Sequence, residues 1–276
     1  MGKFSAAWAL KRRSFRALAG VDAVQFGQMV EQLRPLWQKR VVARKNRSGR
    51  PWSIGGLEDH LLVMLVLYRC AVTQEFLGLF YGVDKAAICR ALARIGKLAA
   101  RVLGVSKNIK VSCEEAEALI IDCTEQPIER PKRKQRCWYS GKKKRHTIKT
   151  EIIITEAGRV VSASDPAPGR VHDLEIRRRG PPLPKEARAY ADSGYQGYQK
   201  DHTDIDIPFK KPKKKKLTKE EKAYNHALSR FRVRVEHKIA ALKRFKILAE
   251  RFRYPRSTYA TKFATIAGIV NLIAGF

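Results

Sequence analysis

The chain has 276 residues, room for one large domain or two of ordinary size at about 150 residues each. Apolar residues make up 44% of it, enough for a real core, which excludes a wholly disordered protein. It carries 57 Lys and Arg against 26 Asp and Glu, a net charge of +31 that costs self-repulsion; this disfavours a small-metabolite enzyme and points to a polyanionic partner, nucleic acid first, then a membrane surface or an acidic protein.

The cysteines, Cys70, Cys89, Cys113, Cys123 and Cys137, are odd in number and never in C-x-x-C spacing, so neither a disulfide framework nor a structural zinc site is expected. The basic start lacks the apolar stretch of a signal peptide. The longest apolar runs, 61–68 and 266–276, fall short of the roughly 18 residues that cross a bilayer. These signals predict a cytoplasmic, nucleoid-associated protein with no membrane partner.

Residues 1–48 are basic and helical in pattern, with no motif that assigns a role. Arg47-Ser48-Gly49-Arg50-Pro51 has the character of a minor-groove segment. A helical segment then covers about 49–110. The pattern predicts helices at 57–70, at 73–80 with Thr73 as N-cap, and from Asp84 to about residue 102. Gly78-x-x-x-Gly82-Val83 followed by Ile88 suits a helix-turn-helix: a small residue for close approach, a left-handed turn, then apolar residues that lock the third helix. That helix would show Lys85, Ala86, Arg90 and Arg94 outward, fit for a major groove. An ordinary three-helix packing unit has the same spacing.

From 117 to 210 short apolar runs are broken by Pro and Gly. Leu119-Ile120-Ile121 predicts a buried strand ending in Asp122. Residues 187–191 predict another, ending in Asp192. Between them lie strands at 146–155 and 160–164 and a short crossover helix at 172–178. That order places the first and last strands as parallel neighbours and sets Asp122 beside Asp192. The basic runs Lys142-Lys143-Lys144-Arg145 and Lys210 to Lys216, with Lys213, Lys214 and Lys215 inside the second, suit phosphate contact; each alone also suits a solvated loop.

Thr218-Lys219-Glu220-Glu221 has the capping-box form and opens a long helix. Leu228, Phe231, Val235 and Leu242 make its apolar stripe, and Arg232, Glu236 and Lys243 share the adjoining face. A surface salt-bridge ladder fits that face equally. Glu236 is nevertheless the candidate third carboxylate beside Asp122 and Asp192. Three gathered carboxylates repel unless cations join them. Mg²⁺ prefers oxygen ligands, and two ions about 4 Å apart can serve the attacking and leaving oxygens of a phosphodiester. No Walker A pattern is present, so no nucleotide cofactor is expected. Asp173 and Glu125 are the competing carboxylates. Asp173 suits the cap of the crossover helix. Glu125, three residues past Asp122, suits support of a metal or a hydrogen bond from the basic loop.

Several motifs occur together in order: Gly49-Arg50-Pro51-Trp52; Ile121-Asp122-Cys123-Thr124-Glu125; Tyr139-Ser140-Gly141-Lys142-Lys143-Lys144-Arg145-His146-Thr147; Pro168-Gly169-Arg170-Val171-His172-Asp173; Asp192-Ser193-Gly194-Tyr195-Gln196-Gly197; and Arg232-x-x-x-Glu236-x₆-Lys243. With these, the chain resembles DDE transposases of bacterial insertion sequences, of the insertion-sequence-five superfamily, similar also to the PIF/Harbinger group. The resemblance runs from about residue 49 to the C-terminus. Ser229 departs from it, standing where related transposases often carry a tyrosine. The resemblance implies an α/β fold with an RNase H-like catalytic domain, a mixed sheet flanked by helices, at 117–276. An all-α helix-turn-helix domain at 49–110 precedes it. It implies the triad Asp122, Asp192, Glu236 holding two Mg²⁺ ions, for which Mn²⁺ can substitute. The expected activity is binding of terminal inverted repeats in double-stranded DNA, cleavage, and joining of 3′ ends to target DNA by a homodimer. The rival readings are a terminal-repeat-binding protein without catalysis and a metal-dependent nuclease that does not join.

Overall fold

The computed structural model describes residues 5–43, 51–211 and 216–276. The chain divides into two compact units: one takes residues 1–104 together with Leu242–Glu250 and Thr261–Phe276, the other takes Val105–Ala241 and Arg251–Ala260.

The first unit is helical. Helices α1 (Ala6–Leu10), α2 (Phe15–Ala19) and α3 (Ala23–Trp37) precede α4 (Leu57–Cys70), α5 (Gln74–Tyr81) and α6 (Lys85–Val102). Every residue of α4 from His60 to Tyr68 is buried, as expected of a stretch without a charged side chain. The Thr73 hydroxyl caps α5 by accepting from Phe76 N at 3.1 Å. The α5 end is a Schellman turn: Val83 N donates to Gly78 O at 2.9 Å, and Gly82 sits at φ +63°. A Cβ on Gly78 would lie 2.7 Å from Val83 O, so this glycine makes room for the turn backbone rather than for a neighbouring helix. The Asp84 carboxylate caps α6, accepting from Ala87 N at 2.6 Å. α6 buries Ala87, Ile88, Ala91, Ile95, Leu98 and Ala99 along one face.

The second unit holds α7 (Cys113–Ala116), α8 (Gln135–Trp138), α9 (Asp173–Arg179) and most of α10 (Lys219–Lys243) around a mixed sheet. Its strands are β1 (Leu119–Pro127), β2 (Tyr139–Ser140), β3 (Arg145–Thr155), β4 (Val160–Ala163), β5 (Ala167–Pro168), β6 (Ala189–Tyr190) and β7 (Ile205–Asp206). The order is β2-β3-β1-β6-β7, with β4 and β5 also on β3. β1 runs antiparallel to β3 from Leu119↔Thr155 to Pro127↔Thr147, and parallel to β6 at Leu119↔Ala189 and Ile120↔Tyr190. The expected parallel neighbours are therefore present. β1, however, does not end at Asp122 but continues five residues, because Thr124 and Gln126 are themselves buried. At the start of α10, Glu221 N donates to Thr218 Oγ1 and Thr218 N to Glu221 Oε2, the full capping box.

Beyond residue 241 the chain serves both units. Phe245 packs on Gly20, and α11 (Lys246–Ala249) lies against α4, all within the first unit. In α12 (Tyr259–Ile273), a Cβ on Gly268 would fall 1.6 Å from Leu103 O, so this helix meets the end of α6 backbone to backbone.

Candidate active site

Strand alternation sends Leu119, Ile121 and Cys123 to one face of the second unit's sheet, where they join a core with Ile153, Ala189, Ala191 and Tyr195. Asp122 leaves by the opposite face. Two residues past the paired Ile120 and Tyr190, Asp122 and Asp192 come side by side. The Asp192 carboxylate is fixed by a turn, accepting from Gly194 N at 2.8 Å. Asp122 Oδ1 accepts from Cys123 N at 2.8 Å, and Arg232 of α10 stands 3.8 Å from Asp122 Oδ2. Burial pushes Asp122 up to about 6; Arg232 opposes the shift, while the charges of Asp192 and Asp173 add to it. The Arg232 Nε is buried without a hydrogen-bond partner.

Glu236 lies one turn beyond Arg232 and is exposed. Among the described residues no group of three or more His, Cys, Asp or Glu has metal-holding geometry.

The competing carboxylates have other duties. The N-cap position of α9 is His172, which makes no side-chain cap bond, so Asp173 is not the cap. Instead Lys149 Nζ donates to Asp173 Oδ1 at 2.9 Å and to Val171 O at 3.0 Å, and lies 3.4 Å from Glu125 Oε1. Thr147 Oγ1 donates to Glu125 at 2.9 Å. Asp173 still borders the site: a Cβ on Gly194 would sit 2.8 Å from Asp173 Oδ2 and 2.9 Å from Asp192 Oδ1. Deeper, Arg177 donates to Glu151 Oε1 at 2.7 Å, with both side chains nearly sealed. Burial pushes Glu151 up to about 7, against the pull of Arg177. Sequence reasoning missed Lys149, Glu151 and Arg177. The only signal for Lys149 and Glu151 is the alternation Thr147-x-Lys149-x-Glu151, which reads equally as a solvent face.

The cationic candidates are dispersed. In the first unit Lys85 and Arg90 are exposed at the start of α6; Lys85 lies 2.5 Å from Glu75, and Arg90 lies 3.9 Å from Asp84. Arg94 stacks on the Trp52 ring at 5.2 Å and is half-buried, so it does not face outward freely. Trp52, Asp84, Arg90 and Arg94 line a cleft of about 500 Å³. Lys243 is the last residue of α10 and half-buried. In the second unit Lys142, Lys143, Lys144 and Arg145 are exposed around the β2–β3 hairpin turn, and Lys216 is exposed before α10. Arg50, Lys213, Lys214 and Lys215 lie outside the described residues. No described helix is long and apolar enough to cross a membrane.

A mixed sheet with paired aspartates at adjacent parallel strands, and an arginine from the closing helix beside them, is consistent with an RNase H-like nuclease domain. Residues 121–271 match the family model described as DDE superfamily endonuclease. The chain belongs to that superfamily, among the transposases of insertion sequences. It is similar to the "Probable transposase for insertion sequence element IS702" of Microchaete diplosiphon, 33% identical over 275 residues that cover 98% of this chain and 97% of that protein. A protein of Streptomyces albus G named as a transposase for insertion sequence element IS112 is 28% identical over 236 residues, 84% of each chain. No solved structure matches.

Superfamily membership implies dependence on a divalent metal. The donors fit one: Asp122 and Asp192 offer hard carboxylate oxygens whose charges raise one another's cost of ionisation, with Arg232 3.8 Å from Asp122.

Proposed function

We propose that this transposase binds the terminal inverted repeats of its own element in double-stranded DNA, cleaves there, and joins the 3′ ends to target DNA. The observation that carries the reading is the Asp122–Asp192 pair beside Arg232. Asp122 and Asp192 would hold Mg²⁺, or Mn²⁺ in its place, with Glu236 of α10 as the third ligand in the DNA complex. Two such ions supply activation of the attacking oxygen and stabilisation of the leaving one. Arg232, whose guanidinium stands beside Asp122, can hold a phosphate next to the carboxylates, so DNA would draw it from Asp122. The hairpin from Lys142 to Arg145, together with Lys216 and the neighbouring Lys213, Lys214 and Lys215, would hold the backbone. Helix α6, through Lys85, Arg90 and Arg94, would read the repeat as the second helix of a helix-turn-helix, with Arg50 in the adjoining minor groove. Lys243 would add a phosphate contact. Two cuts and two joins need two active sites, hence a homodimer on DNA.

The test is to incubate purified protein and Mg²⁺ with a supercoiled plasmid carrying the element's end and to map the products. Ends joined to new sites support the reading. Cleavage without joining makes the protein a nuclease, and binding without cleavage makes it a repeat-binding protein. Asp122→Asn, Asp192→Asn and Glu236→Gln are each expected to abolish cleavage while end binding persists. Cleavage that survives Glu236→Gln removes Glu236 from the ligand set.

A further inference from the structure

Beneath the two aspartates, on the other face of the sheet, lies a bond between the same two chain segments. The Tyr195 side chain is wholly buried, and its hydroxyl lies 3.3 Å from Cys123 Sγ. Cys123 follows Asp122 by one residue, and Tyr195 follows Asp192 by three. β6 pairs with β1 over only two residues, ending at Tyr190, so ladder hydrogen bonds stop short of Asp192. From there Asp192 depends on its turn, in which Tyr195 N donates to Asp192 O at 3.1 Å. Tyr195 therefore anchors that turn from one end and β1 from the other. Phenylalanine would fill the same ring volume, so what the hydroxyl adds is polar contact, to Cys123 Sγ and to the buried carboxylate of Glu151. The hydroxyl is the part that packing does not require.

We propose that Tyr195 is a positioning residue for the transposase reaction, its hydroxyl bridging to Cys123 so as to set the separation of Asp122 and Asp192. The bridge acts as a crossbar where the β1–β6 ladder has ended. It rests on the reading of Asp122 and Asp192 as cation holders. Residues that orient metal ligands typically change affinity or activity by about 10- to 100-fold when altered.

The experiment measures Mn²⁺ binding to the full-length protein by electron paramagnetic resonance without DNA, and separately the turnover and KM for plasmid carrying the element's end. Tyr195→Phe is expected to weaken Mn²⁺ binding by about 10- to 100-fold and to lower turnover with KM for DNA unchanged, at a preserved circular dichroism spectrum. Cys123→Ala removes the Cys123 bond and leaves the Glu151 contact, so it should weaken Mn²⁺ binding in the same direction; Cys123→Ser, which keeps a polar partner, should restore most of the affinity. The double variant should be no worse than Tyr195→Phe alone, because that variant has already lost the bond that Cys123→Ala removes. If Tyr195→Phe fails to fold, Cys123→Ala against Cys123→Ser carries the comparison alone. Wild-type Mn²⁺ affinity in Tyr195→Phe or Cys123→Ala overturns the proposal, as does full additivity in the double variant. Asp122→Asn separates the two levels. If it weakens binding while Tyr195→Phe and Cys123→Ala do not, only the crossbar is lost. If Asp122→Asn also binds Mn²⁺ normally, the cation-holding reading itself falls.

Discussion

At Asp122 stability and chemistry pull in opposite directions. Burial pushes its carboxyl up to about 6 from an ordinary value of 3.8, so the native state holds the proton more tightly than the unfolded chain. Stability must then fall as pH rises through that window and stay low above it. Asp122→Asn should therefore stabilise the metal-free protein at pH 7.5, by at most about 3 kcal/mol, because each tenfold change in proton affinity is worth about 1.4 kcal/mol. Below pH 3.8 the substitution should bring no gain. Thermal unfolding in chelator at several pH values checks this; a less stable variant at pH 7.5 would mean that Arg232 outweighs burial. Asp122 and Asp192 were legible in the sequence because each closes a short apolar run. Lys149, Glu151 and Arg177 were not. Their charges look like surface charges until the partner strand and helix are known, and those partners lie 22 to 26 residues away. Glu236 was legible as a face of α10, but periodicity fixes a face and not a distance.

Among elements, the α5–α6 turn shows how much two glycines can carry. Gly82 needs its left-handed backbone, so Gly82→Ala should cost about 1–2 kcal/mol. Gly78→Ala should cost more, since its Cβ would press on Val83 O at 2.7 Å and the turn must open. Denaturant unfolding should rank the two in that order; the reverse would show that the turn yields easily. Arg90 tests the role proposed for α6. Arg90→Ala should weaken repeat DNA by about 1–3 kcal/mol more than random DNA; equal losses would make it a phosphate contact only. Caps made these helices legible: Thr73, Asp84 and Thr218 each bond as their residue types predict. Strand ends were less so. β1 continued past Asp122 because polar side chains there are buried, which hydropathy alone cannot show. Helices α1 to α3 were legible as helical pattern but not in role or boundaries, since α1 and α2 bury mostly alanine and pack on α4, which lies far along the chain.

For the molecule as a whole, a charge of +31 sets its response to salt. Replacing Lys142, Lys143, Lys144 and Arg145 together by Ala should reduce the slope of log affinity against log salt by about 3–4 units if all four meet phosphate. An unchanged slope would leave the hairpin tip a solvated turn. The division of the chain has a different kind of consequence, one of timing. The first unit is built from both ends of the sequence: Phe245 fills the space over Gly20, and Gly268 seats on Leu103. During synthesis, the first hundred residues leave the ribosome with those faces bare. They acquire their covering only after the entire second unit has been translated. A fragment ending at residue 104 should accordingly unfold without a cooperative transition, and linking residues 242–276 back onto it should restore one. A nascent chain is thus held back from a finished helical unit until its last helix has emerged, which delays any work that unit does until the nuclease portion already exists.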